Sequence, residues 1–113
     1  MQGGKDAGLP VRGWAVAEIF ITPLGTGKST IRDSIRDLYG IVRACGIRHE
    51  LTAMGTLVEG PIEDIFALAR RLHDACFEAG EGTARVVTSL RVDERRGEAL
   101  TLAGKVRGVL GEP

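Results

Sequence analysis

Arg48–Gly60, RHELTAMGTLVEG, is the stretch whose reading decides the fold. Taken as one strand it is far longer than the usual length of about 5–6 residues. A turn at Ala53-Met54-Gly55 divides it into two short antiparallel strands, HELT and TLVE. A hairpin in the middle of the chain leaves little room for a parallel sheet with several crossovers.

Working toward the N-terminus, residues 15–22, AVAEIFIT, read as a strand. Ile19 and Ile21 alternate there with Glu18, Phe20 and Thr22. Residues 23–28 are a Pro/Gly-rich loop. A helix is expected from Ser29 or Thr30, whose hydroxyl can accept a first-turn N–H. Ile31, Ile35, Leu38, Val42 and Cys45 fall on one face of it, and Gly46 is its natural stop.

Toward the C-terminus, Pro61 suits the first turn of a second helix, and Glu63 and Asp64 suit its positive dipole end. Ile62, Ile65, Phe66, Ala69, Leu72 and Cys76 line one face. Arg70, Arg71 and Asp74 line the other, and Gly80 is placed at the end. Arg85–Asp93, RVVTSLRVD, alternates as a last strand. After ERRG, Leu102, Val106, Val109 and Leu110 have helical spacing over 101–110. The order β-α-β-β-α-β is that of an α+β, ferredoxin-like domain. It predicts a four-stranded antiparallel sheet with two helices on one face, the other face open, and a short C-terminal helix. Residues 1–13 read as a flexible tail before a single domain over 14–113.

Composition narrows the function. Of 113 residues, 43% are apolar and 27% charged, and fifteen basic side chains balance fifteen acidic ones. No overall field favours nucleic acid or anionic lipid. No stretch has the apolar length to span a bilayer, and the N-terminal residues lack the core of a secretory signal. Cys45 and Cys76 are too few for a disulfide scaffold, and a cytoplasmic setting is expected.

TPLGTGKST, Thr22–Thr30, resembles a phosphate loop. G-x-x-x-x-G-K-[ST] needs its first glycine at position 22, where this chain has Thr22, and the next residue, Pro23, has no N–H to offer. A nucleotide enzyme is therefore the weakest reading. A strand-to-helix turn, or free N–H groups at the helix start holding a ligand anion, account for the same residues. Cys45, His49, His73 and Cys76 are of zinc-ligand type, but both cysteines continue apolar stripes, where free cysteine packs as a small hydrophobe. Neither a metal site nor a catalytic set is expected. The open face carries Glu18, Phe20 and Thr22, Glu50 and Thr52, Ser89 and Arg91. Too few of these are aromatic for RNA stacking. Phe20 and Val87 among polar groups suggest coverage by another subunit, and a pocket there would have the mixed lining of a small-ligand site.

PLGTG at 23–27, ELTAMGTLVEG at 50–60, HDACFEAG at 73–80 and RVVTSLRVDERRG at 85–97 together resemble the thiamine-binding-protein family over about residues 17–110. The resemblance implies a ferredoxin-like fold, dimers or tetramers joined through their sheets, and binding of thiamine or its hydroxymethylpyrimidine moiety without established catalysis. The family usually has proline at Ala53 and a non-basic residue at Lys28, so the Walker-like appearance is a local departure. On this reading Phe20 and Met54 offer surfaces to the aminopyrimidine, and Thr22, Thr52 and Ser89 offer polar contacts. Glu18, Glu50 or Glu59 complement the thiazolium charge. The expected ligand is thus thiamine-like and the expected partner a second copy of the chain, with no cofactor, nucleic acid or membrane. The alternative is a structural or regulatory self-assembly module with no small ligand.

Overall fold

In a computed structural model of the chain, residues 13–28, 30–79 and 83–112 are described. Residues 1–12 of the expected tail (1–13), Ser29 and the expected helix stop at Gly80 lie outside them. The elements are β1 (Trp14–Leu24), α1 (Arg32–Cys45), β2 (Arg48–Thr52), β3 (Gly55–Pro61), α2 (Ile62–Ala79), β4 (Arg85–Glu94) and α3 (Leu102–Leu110). The sheet order is β2-β3-β1-β4, with every neighbouring pair antiparallel. Each strand–helix–strand unit therefore skips over one intervening strand, the split βαβ arrangement of the ferredoxin-like fold.

The period-2 pattern sorts the sheet into two faces. Ala15, Ala17, Ile19 and Ile21 of β1 and Val58 of β3 point inward and are buried with Leu38 and Val42 of α1 and Ile65, Leu68, Ala69, Leu72 and Cys76 of α2. The helices lie differently on this core. α2 packs along β1, β3 and β4, whereas α1 rests chiefly on α2.

Several boundaries differ from the sequence reading for identifiable reasons. β1 continues through Pro23 and Leu24, which pair with Val86 and Arg85. Beyond Ile19 the strand is paired on one side only, where a residue without an N–H is tolerated. Gly25 and Gly27 then take left-handed backbone (φ 74° and 75°), and α1 starts only at Arg32. Its N-cap is Ile31, and Thr30 Oγ1 accepts the Arg32 N–H (3.1 Å) from one position further back. Pro61 closes β3 instead of opening α2. Phe66 is exposed, with Leu68 taking the core position, and Cys45 is exposed with its thiol donating to the Val42 carbonyl (3.1 Å).

The hairpin turns through Ala53-Met54 with no positive φ at either residue, so it is neither of the primed turns usual for two-residue loops. Thr52 supplies the missing closure. Its hydroxyl donates to the Gly55 carbonyl (2.8 Å) and accepts the Met54 N–H (3.2 Å).

Candidate functional site

The outer face of the sheet is only half open. α3 returns across it and covers Val16, which is 5% exposed although it points away from the main core. Three contacts fix this helix. Thr101 is its N-cap, accepting the Gly104 N–H at 3.0 Å. Glu59, on the outer face of β3 and 5% exposed, accepts the Leu102 N–H (3.0 Å) and meets Arg48 of β2 (3.5 Å). Its carboxylate thus satisfies a free first-turn donor at the positive end of the helix dipole. Lys105 pairs with Asp93 of β4.

Between α3 and the sheet lies a cavity of about 570 Å³, within the roughly 300–1,000 Å³ usual for small-molecule sites. Val16 and Leu57 contribute apolar lining from the sheet, and Leu102 and Val106 from α3. Glu18 of β1, Glu50 of β2 and Arg91 of β4 bring charge to it. Register explains the grouping: Leu57 is directly opposite Glu18 on one side and Glu50 on the other, and Arg91 is opposite Glu18. The ion pairs among the described residues involve none of Glu18, Glu50 and Arg91. The cavity therefore presents two carboxylates and one guanidinium not engaged with each other, beside the Asp93–Lys105 pair.

The residues singled out in the sequence divide into three groups. Glu18 and Glu50 line this cavity. Phe20 and Ser89 are cross-strand partners, and Thr22 is opposite Val87, on the half of the outer face that α3 does not reach. Thr52 has its hydroxyl engaged in the hairpin turn, and Met54 sits at the tip of that turn, 77% exposed. Leu57, Leu102, Lys105 and Val106 were not anticipated as site residues. The spacing of Leu102 and Val106 announces an amphipathic helix but carries no sign of which surface it covers.

The metal and phosphate readings acquire no support from the geometry. Among the described residues no three His, Cys, Asp or Glu side chains converge as a metal site. His49 is held by Tyr39 (3.2 Å) and the Ile47 carbonyl (2.8 Å), His73 by Thr88 (2.6 Å). Cys76 is buried, and desolvation pushes its thiol pKa up. Lys28 is exposed in the loop before α1, its N–H directed to Thr26 Oγ1 (3.3 Å). No helix among the described residues is long and apolar enough to cross a membrane.

Comparison with known proteins agrees with this architecture. The UPF0045 protein YqgV of Bacillus subtilis is 36% identical over 99 residues, covering 84% of this chain and 93% of that protein. The crystal structure of the hypothetical protein MJ1052 of Methanocaldococcus jannaschii superposes with a TM-score of 0.75 at 28% identity, over 88% of this chain and 98% of the other. A Thermotoga maritima protein provisionally assigned to thiamine biosynthesis or salvage superposes with a TM-score of 0.73 over 85% of this chain and 98% of that one. At 21% identity it speaks for the fold alone. The profile described as thiamine-binding protein matches residues 17–110, nearly the whole of the described structure. This chain belongs to the thiamine-binding protein family.

Proposed function

We propose that the protein binds thiamine, or its hydroxymethylpyrimidine moiety, non-catalytically in the cavity between α3 and the outer face of the sheet, at an interface between subunits. The observation that carries this reading is the pair of carboxylates, Glu18 and Glu50, free of ion pairs among the described residues and beside an apolar lining. A flat aminopyrimidine fits between Leu57 and Val16 on one side and Leu102 and Val106 on the other. The permanently cationic thiazolium lies toward Glu50, away from Arg91. The uncovered half of the face exposes Phe20, Leu24 and Val87 (37%, 36% and 44%) and serves in this reading as the subunit contact. The same three side chains also favour the second reading, a self-assembly module without a small ligand.

Calorimetric titration separates the two. Thiamine and hydroxymethylpyrimidine should both bind. Glu50→Gln should weaken thiamine by about tenfold, the worth of one partly solvated charge contact, and leave the uncharged pyrimidine nearly unaffected. Absence of heat and of any thermal shift at millimolar ligand refutes ligand binding. If Phe20→Asp still abolishes self-association, the assembly reading stands alone.

A further inference from the structure

A second cavity, of about 400 Å³, lies on the opposite side of the sheet, between α1 and the β1–β3 seam. It exists because α1 leans on α2 and does not close onto the strands as α2 does. Its deep wall is core: Ile19, Ile21 and Leu38 are each under 5% exposed, yet they also border this space. Its side wall is set in place, because Tyr39 packs edge-on against His49 (centroids 5.5 Å, planes 77° apart) and shares a hydrogen bond with it. Thr56, opposite the buried Ile19, adds a hydroxyl along the hairpin side. Among the described residues Arg32 is the sole charged one on the lining, and it is exposed at the start of α1.

We infer that this cavity is a second binding site, taking a flat, predominantly apolar ring without positive charge. Apolar walls on two sides suit a ring, the hydroxyls of Thr56 and Tyr39 suit one or two polar ring atoms, and the single guanidinium disfavours a cation. The selectivity is opposite to that of the outer cavity, whose carboxylates favour positive charge. The two sites are separated by the thickness of the sheet, so occupation of one does not require the other.

Quinoline and N-methylquinolinium, one uncharged above neutral pH and one cationic but of nearly the same shape, test the inference by amide chemical-shift titration of the intact protein. Quinoline should shift the amides of Ile35, Tyr39, Leu51 and Thr56 in a saturable way, with N-methylquinolinium at least about tenfold weaker there. Ile35→Trp, which fills the space from α1, should abolish those shifts while thiamine binding to the outer cavity is retained. Shifts that are absent, non-saturating, centred on Leu57 and Val106, or equal for the two ligands overturn the inference. The wild-type map decides the matter even if the tryptophan variant folds poorly.

Discussion

Removing the Glu59 carboxylate should release α3 while leaving the main core folded. Glu59→Ala takes away a charged acceptor 3.0 Å from the Leu102 N–H and strands that donor beneath the helix start. A hydrogen bond to a charged group is worth about 1.5–3 kcal/mol, and an anion at a helix N-terminus about 0.3–1 kcal/mol. The two descriptions overlap, so a loss of about 2–3 kcal/mol is expected. α3 has only nine residues, too few to persist without its docking contacts. The loss should therefore appear as local opening. Native-state hydrogen exchange reads it directly, through the helical amides from Lys105, which donates to the Thr101 carbonyl at 3.1 Å, to Leu110. Their protection should fall about 30- to 150-fold, with the amides of Ile19 and Val58 unchanged. Glu59→Gln keeps an acceptor of the same shape and loses only the charge, so its effect should be nearer fivefold, about 1 kcal/mol. Undiminished α3 protection in the alanine variant would refute the assignment of Glu59 as the anchor.

Two further perturbations probe other parts of the chain. Because burial raises the Cys76 pKa, the unfolded chain loses that thiol proton first on going above about pH 8.5. The resulting stabilisation is complete below that pH and fades as pH rises toward the folded-state value. Urea midpoints from pH 8 to 10 should decline more steeply in the wild type than in Cys76→Ala, and parallel slopes would contradict this. Gly55→Ala would place a Cβ 3.1 Å from the Ile19 carbonyl oxygen and 3.4 Å from Glu18 Cγ. Since the nearer atom is backbone in the central pairing, the cost should be about 1–3 kcal/mol, seen as a lower urea midpoint with an unchanged m-value.

Much of this architecture was legible because it depends on local pattern. The alternation in AVAEIFIT and HELT fixed both the strands and the side chains they turn outward, so Glu18 and Glu50 could be placed on a shared face from sequence. The hairpin was legible for a different reason than its sequence suggested, since Ala53-Met54 is a poor turn and the Thr52 hydroxyl closes it. Interactions between distant segments were not legible. Nothing near Leu102 shows that its N–H will meet Glu59, 43 positions earlier. Without that contact the outer face reads as wholly open and Lys105 as a solvated charge. Phe66, expected on the buried face, is exposed and Leu68 is buried, because a helix face wide enough for three elements admits more than one apolar stripe.

The strand order also dictates a schedule for folding. β1, made first, occupies the middle of the sheet, and both of its neighbours come from later in the chain. Gly13 and Glu94, which close its outer seam with a 2.8 Å hydrogen bond, are 81 residues apart. Until β3 and β4 exist, the apolar run from Ala15 to Ile21 has no partner on either edge. Such distant pairing slows folding relative to a helical bundle and leaves β1 exposed to intermolecular strand addition during synthesis. α3 can find its seat only after β3 has delivered Glu59 and β4 has delivered Asp93. The outer cavity is thus the last part of the molecule to form, and a chain truncated before Thr101 would complete its sheet without ever acquiring it.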